Sequence, residues 1–183
     1  MNVRSVTNSA KTLSQAEFDA VDEKRVVQAI EGAQKRLWDS DKRLLELDAH
    51  ERSICFRLAL YLAEQFPEFD VDCEYNRNHA KAEDDYLKRL KDQNLFEIVG
   101  REPRCGDEDG LMIMPDIIVH IRDKPMNLLV IEAKKTSSLI SELTDLFKLH
   151  AVKEELGYRF ARFIKFNVGK DCNSGGICES FFV

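Results

Sequence analysis

The sequence lacks the features that mark several special classes of protein. Its 183 residues include only four Pro and eight Gly, too few for a collagen-like chain. It has no run of about 18 apolar residues, and its N-terminal residues have no apolar core of the kind found in secretory signals. With 44% hydrophobic residues it is also too apolar for a wholly disordered chain. We therefore expect a globular protein that is neither secreted by a standard signal nor membrane-spanning.

The cysteines exclude two further classes. There are five of them, an odd number, and no two form a CxxC pair. This spacing predicts neither a disulfide framework nor a zinc site. Cys55 and Cys73 lie among apolar residues, so we expect free thiols in the core. Free thiols fit a reducing compartment, which predicts a cytoplasmic protein.

Basic residues are in the minority, with 27 Lys and Arg against 33 Asp and Glu, for a formal charge of -6. An acidic chain is not an obvious nucleic-acid binder, because affinity for phosphates depends on clustered cations. Residues 124–170 depart from this average. They hold nine Lys or Arg and five Asp or Glu, a balance of +4 that leaves -10 for the rest of the chain. This segment is therefore a candidate for phosphate contacts.

Hydrophobic periodicity predicts a helical N-terminal part. We expect residues 1–40 to form a polar tail and a peripheral helical arm over 15–38, which begins with a capping box of Ser14 and Glu17. A break is expected at 39–41. Apolar residues then recur at helical spacing and predict one buried stripe, formed by Leu44, Leu47, Ile54, Leu58 and Tyr61 or Leu62.

A carboxylate interrupts this stripe. Glu51 lies four residues after Leu47 and three before Ile54, which places it on the same helical face. A charge on an apolar face is costly unless a cation or a metal partners it. Two interpretations stay open: Glu51 is a functional residue, or it is the N3 residue of a capping box that begins at Asp48.

The remainder of the chain, residues 41–183, predicts an α/β domain with a mixed central sheet flanked by helices. Residues 71–75 alternate in polarity and predict a first strand. A charged insertion follows at about 78–110, with a short helix expected over 83–90. Its role is not readable from the sequence.

The C-terminal part predicts a helix and two strands. The helix is expected over 139–156 and to end at Gly157, with a buried face formed by Ile140, Leu143, Phe147 and His150. A strand is predicted over 160–168, and 177–183 predicts an edge strand.

The strongest local signal is a hairpin formed by two strand-like segments, 116–121 and 128–133. If the turn is centred on Lys124, residues whose numbers sum to 248 face each other across the hairpin. Asp116 then lies opposite Glu132, at the open end of the hairpin.

Alternation along the second strand decides which side chains meet there. Glu132 and Lys134 share one face of the strand, whereas the other face carries Leu129, Ile131 and Ala133. Two carboxylates and a lysine are therefore expected to converge, which is the geometry of a site.

This pattern, Pro115-Asp116, fifteen residues, then Glu132-Ala133-Lys134, resembles the signature of the PD-(D/E)xK nuclease superfamily. The resemblance extends over residues 48–168, apart from the insertion, and includes the upstream helix with Glu51 and the helix and strand downstream. Segments such as His50-Glu51-Arg52 and Leu146 to Phe166 are similar to uncharacterised bacterial members. The resemblance implies a restriction-endonuclease-like fold.

The same resemblance implies an Mg²⁺-dependent nuclease, with Mn²⁺ as a substitute, that hydrolyses phosphodiester bonds in DNA. Asp116, Glu132 and the backbone carbonyl of Ala133 are then metal ligands, which suits Mg²⁺ because it is a hard ion that takes oxygen ligands. Lys134 orients or deprotonates the attacking water. Glu51 completes the metal shell or binds a second ion. A homodimer is also implied by resemblance.

Structural interpretations stay open beside the functional ones. Asp116 could simply begin a strand, and Glu132 with Lys134 could be a surface pair worth less than about 1 kcal/mol. Glu74 is a weaker site candidate, because the sequence does not fix its strand face. The runner-up function is a non-catalytic module on the same fold that binds nucleic acid or protein. A third interpretation is a structural partner of an assembly, bound through the helix at 15–38.

Overall fold

The computed structural model describes residues 12–75, 89–90, 111–172 and 176–183. In these ranges the helices are α1 (Gln15–Asp19), α2 (Glu23–Glu46), α3 (Glu51–Gln65) and α4 (Glu142–Leu156), with a short 3₁₀ turn over Gly169–Asp171. The strands are β1 (Asp70–Cys73), β2 (Arg89–Leu90), β3 (Leu111–Met112), β4 (Ile117–Ile121), β5 (Met126–Lys135), β6 (Phe160–Phe166) and β7 (Ile177–Phe182). This mixture of helices and sheet confirms the predicted α/β class.

Five of these strands form one mixed sheet in the order β1-β4-β5-β6-β7. All neighbouring strands are antiparallel except β5 and β6, which are parallel. A parallel pair needs a crossover connection, and α4 provides it. β7 is an edge strand, as predicted. β2 and β3 pair separately, so Arg89–Leu90 is strand where a helix was expected; the rest of that predicted helix lies outside the described residues.

The register of the hairpin is confirmed at its open end. Ile117 pairs with Ile131 and Ile118 with Val130, as a turn centred on Lys124 requires. A bulge after Val119 shifts the register by one residue toward the turn. The shift does not reach the open end, so the positions of Asp116 and Glu132 follow from the predicted pairing.

The two faces of the sheet pack against different helices. Residues such as Ile117 and Ile131 join the core formed with α2 and α3, whereas Ile118, Val130 and Phe163 join a second core formed with α4. Alternating residues of one strand therefore serve opposite cores. The sheet is buried on both sides, and functional side chains can reach solvent only near its edges and strand ends.

The N-terminal helices differ from the prediction. The capping box of Ser14 and Glu17 is confirmed at the start of α1. However, α2 is not peripheral, because its apolar stripe is fully buried against α3 and the sheet: Val26, Ala29, Ile30, Ala33 and Leu37. The helix also continues through the expected break at 39–41, with only a kink at Asp41.

The predicted stripe from Leu44 to Leu62 is interrupted. Leu47 is 61% exposed, and Asp48 adopts a left-handed conformation with φ 50°, so the chain turns between α2 and α3. His50 is the N-cap of α3, and its ring nitrogen accepts a hydrogen bond from the Arg52 N–H. The alternative interpretation of Glu51, as the N3 residue of a capping box that begins at Asp48, is therefore wrong, because Glu51 is the first residue of α3.

The orientation of α4 was also predicted wrongly. The expected buried face is exposed: Ile140, Leu143, Phe147 (52% exposed) and His150. The buried residues are instead Leu149, Ala151, Val152 and Leu156. Both faces carry apolar residues, so periodicity alone does not decide which one packs on the sheet. The helix ends as predicted, since Gly157 adopts the left-handed conformation with φ 68°.

Among the helices that the structure describes, none is long and apolar enough to cross a membrane.

Candidate functional site

Charged side chains from three parts of the fold converge at the open end of the β4–β5 hairpin. Asp116 directly precedes β4, two residues are on β5, one begins α3 and two are on the inner side of α4. We call this group the hairpin-end cluster: Glu51, Asp116, Glu132, Lys134, Asp145 and Lys148. It includes all four of the charged residues that the sequence pattern predicted as a site, and two that it did not.

Asp116 is fixed to the neighbouring strand. Its Oδ2 accepts a hydrogen bond of 2.8 Å from the backbone N–H of Ala133 on β5. Burial raises the pKa of Asp116, although the Ala133 N–H and the positive charge of Lys148 oppose the shift. The carboxylate is thus held at the end of the hairpin in an environment that disfavours its charge.

Glu132 is the most buried member of the cluster, with 2% of its surface exposed. Its Oε2 accepts a 2.9 Å hydrogen bond from Nζ of Lys148. Its Oε1 is buried and has no hydrogen-bond partner. The carboxyl groups of Glu132 and Asp116 also interact, and a hydrogen bond between them would require a proton on one of the two. Burial raises the pKa of Glu132 well above its usual range, and the nearby charge of Asp116 adds to the effect against the opposing charge of Lys148.

Lys134 lies on the same face of β5 as Glu132, as predicted, and is almost fully buried. Its Nζ pairs with Oδ2 of Asp145 on α4. A buried ammonium needs such a partner, because desolvation of an isolated charge is costly. Asp145 therefore fixes the position of the lysine that the sequence pattern singled out.

Glu51 joins the cluster from the opposite face of the sheet. Burial raises the pKa of Glu51, the negative charge of Asp116 raises it further, and Lys134 opposes these effects. Glu51 thus shares its electrostatic environment with residues of the hairpin. The prediction that this carboxylate faces the sheet site is consistent with its place at the start of α3.

The cluster carries an excess of negative charge. Its four carboxylates and two ammonium groups sum to -2 when all are ionised. Burial is the main cause of the raised pKa of Glu51, Asp116 and Glu132, and the neighbouring negative charges add to it. A divalent cation would neutralise this excess, and Oε1 of Glu132, which has no hydrogen-bond partner, would be one of its ligands.

The oxygen-rich donor set fits Mg²⁺ or Mn²⁺ in chemical type, since both ions prefer carboxylate ligands. Within the described residues, however, no three His, Cys, Asp or Glu side chains are arranged closely enough to hold a metal ion. Lys148 on Glu132 and Lys134 on Asp145 occupy the carboxylates instead. Metal binding at this cluster therefore requires the side chains to rearrange.

The weaker candidate, Glu74, is not part of the cluster. Its carboxylate forms an ion pair of 2.5 Å with Arg52. The backbone of Glu74 is left-handed, with φ 49°, and its N–H donates a hydrogen bond to the carbonyl oxygen of Asp116. Glu74 thus supports the backbone beside Asp116, while its side chain points to a different partner.

Several lysines of the basic segment are already paired with carboxylates. Lys135 binds Asp48, and Lys165 pairs with Glu142 and Glu179. The two lysines of the hairpin-end cluster are paired as well. Four of the nine basic residues of this segment thus pair with carboxylates, of which Asp48 and Glu179 lie outside the segment.

Sequence reasoning missed Asp145 and Lys148. They are three residues apart on α4, and this spacing places two side chains on the same helical face. The signal was present, but the helix was expected to turn its other face to the sheet. With that face outward, the pair reaches β5.

In comparisons with known proteins, no family model, no curated protein and no solved structure matches this chain significantly. The functional argument therefore rests on the hairpin-end cluster and the pattern of residues that forms it.

Proposed function

We propose that this chain is a metal-dependent nuclease that hydrolyses phosphodiester bonds in DNA. The observation that carries the proposal is the hairpin-end cluster. Asp116, Glu132 and Lys134 have the residue types and strand positions of the Pro-Asp and Glu-x-Lys pattern, and they lie in a cluster with four carboxyl groups and two ammonium groups. The buried Oε1 of Glu132, which has no partner, supports a cation site at this position.

The order of elements supports a restriction-endonuclease-like fold for the domain. Helix α3 precedes β1 and the β4–β5 hairpin, and α4 then crosses over to the parallel strand β6. This is the context that the resemblance implies for the pattern. The arrangement places Glu51 upstream of the hairpin and the remaining charged residues within or after it.

In this proposal, Asp116, Glu132 and the carbonyl oxygen of Ala133 hold Mg²⁺, and Glu51 completes the set or holds a second ion. When bound, the metal supplies charge neutralisation at the phosphate and lowers the pKa of a coordinated water. The hydrogen bond from the Ala133 N–H holds Asp116 beside the strand that carries Glu132.

Lys134 has a separate task, because its ammonium is bound to Asp145 and not to the proposed metal ligands. It would orient the attacking water or a phosphate oxygen by donating a hydrogen bond. Asp145 is then a positioning residue, since it holds the ammonium without touching the substrate. Charge-assisted donors of this kind are effective in a partly buried site.

One set of observations favours the alternative, a non-catalytic binding module. The cluster's lysines are paired with its carboxylates, and the described residues hold no ready three-ligand metal site. A module of this kind would bind nucleic acid or protein without cleaving it. The third interpretation, a partner bound through the N-terminal helix, is disfavoured because the apolar stripe of α2 is buried in the core.

The test is cleavage of supercoiled, linear and single-stranded DNA in Mg²⁺ or Mn²⁺ by the wild type and the Asp116→Asn variant. A matched control is Asp39→Asn, which removes an exposed carboxylate of α2 that pairs with Lys35. We expect cleavage by the wild type and the control, and a loss of at least about 100-fold in the Asp116→Asn variant. Binding of DNA without cleavage by the wild type would favour the binding module.

A further inference from the structure

The two lysines of the hairpin-end cluster contact different kinds of partner. Lys134 is bound to Asp145, which lies outside the proposed set of metal ligands. Lys148 is bound directly to Glu132, which lies inside it, at a distance of 2.9 Å. Lys148 therefore occupies an oxygen atom that a metal ion would need.

The surroundings make this contact strong. The Glu132 side chain is 3% exposed and that of Lys148 is 21% exposed, so little water screens the pair. Lys148 reaches Glu132 from α4, where it lies one turn after Asp145. The ammonium of Lys148 is thus held against the Glu132 carboxylate with little solvent around either group.

A divalent cation and this ammonium would be attracted to the same carboxylate and would repel each other. Repulsion between two cations is large when they approach within a few ångströms in a partly buried site. Oε1 of Glu132 has no hydrogen-bond partner and Oε2 accepts from Lys148, so a metal ion and this ammonium would compete for one carboxylate.

We propose that Lys148 is a built-in counter-ion that the divalent metal displaces from Glu132. This inference rests on the proposed metal site and concerns how that site is kept neutral before metal binds. In the metal-free protein, Lys148 reduces the excess negative charge of the cluster. The same contact lowers the affinity for metal, because binding must first break the ion pair.

The test is calorimetric titration of the full-length protein with Mn²⁺ in the absence of DNA. We expect Lys148→Met, which keeps the apolar stem and removes the charge, to bind Mn²⁺ at least about tenfold more tightly than the wild type. Lys148→Arg keeps the charge and should bind with nearly wild-type affinity. Lys165→Met is the matched control, because Lys165 pairs with Glu142 and Glu179 and does not contact Glu132. Its affinity should be unchanged.

The outcomes separate this inference from the proposed function. Equal or weaker Mn²⁺ binding by Lys148→Met, with clear binding by the wild type, would overturn the exchange while leaving the metal site intact. Absence of binding by both proteins would overturn the exchange and the metal site together. If Lys148→Met does not fold, Lys148→Gln tests the same point, since it can still donate a hydrogen bond to Glu132 but has no charge.

Discussion

Replacement of Asp116 by Asn gives a sharp test of the hairpin-end cluster, because the expected effect on stability is opposite to that of most buried substitutions. Burial disfavours the charge of Asp116, and when all groups are ionised the other three carboxylates and two ammonium groups of the cluster leave one negative charge beside it. At about 4 Å and an effective dielectric constant near 20, one such charge is worth at most about 4 kcal/mol. The variant also weakens the hydrogen bond that Asp116 accepts from the Ala133 N–H, by roughly 1–2 kcal/mol.

We therefore expect Asp116→Asn to raise the free energy of unfolding of the metal-free protein by about 1 kcal/mol at pH 7.5. For a chain of this size, that corresponds to a rise of about 2–4 °C in Tm. The assay is thermal unfolding in EDTA, repeated with about 5 mM Mg²⁺. Metal should raise the Tm of the wild type by ligand linkage and leave that of the variant unchanged.

The effect should depend on pH in a defined direction. The pKa of Asp116 is raised in the folded protein, chiefly by burial, so the unfolded chain ionises first as pH rises. The wild type therefore loses stability relative to the variant above about pH 4, where unfolded Asp ionises, and the loss is complete above the folded pKa. Below about pH 4 the two proteins should differ little.

A different result would contradict this reasoning. If Asp116→Asn lowers the Tm at neutral pH and Mg²⁺ stabilises both proteins equally, Asp116 only begins strand β4 and caps the Ala133 N–H. The structural interpretation of this residue would then be correct.

Two further variants separate structural charges from functional ones. Burial raises the pKa of the Asp72 carboxyl group, but hydrogen bonds from His120 and Arg122 outweigh this effect and lower its pKa to about 2. Asp72→Asn should therefore lower the free energy of unfolding by about 2 kcal/mol at neutral pH. This difference from the wild type should disappear as pH falls from about 4 to about 2, and urea unfolding at each pH would measure it. An unchanged midpoint at pH 7 would sink this explanation. Lys134→Met should reduce the cleavage rate at least about 100-fold with Mn²⁺ affinity within about threefold of the wild type, and an unchanged rate would remove Lys134 from the mechanism.

The site could be predicted from the sequence where local rules decide the geometry. The hairpin has a short turn and strands with a period of two, so the register that brings Asp116 opposite Glu132 follows from the turn centre. The same period places Lys134 beside Glu132. The sequence did not predict the bulge after Val119, but the bulge lies toward the turn and leaves the register at the open end unchanged.

The parts that were missed depend on tertiary contacts. Helix α4 has apolar residues on two faces, and the sheet rather than the helix determines which is buried. Asp145 and Lys148 enter the cluster only because the face with Phe147 is turned outward. Similarly, Glu51 was expected within a continuous stripe, whereas the chain turns at Asp48 and Glu51 begins a new helix. Glu51 does lie near the hairpin, but the continuous stripe from which this was predicted does not exist in the structure.

The most direct test of a metal-dependent nuclease is nicking of supercoiled plasmid by the wild type and by Glu132→Gln, with Mn²⁺ and with EDTA. The wild type is predicted to nick or linearise the plasmid only with Mn²⁺, and Glu132→Gln is predicted to be inactive in both conditions. Equal cleavage by the two proteins would show that the hairpin-end cluster is not the active site. Absence of cleavage by a wild-type protein that binds Mn²⁺ would contradict the nuclease and favour the binding module.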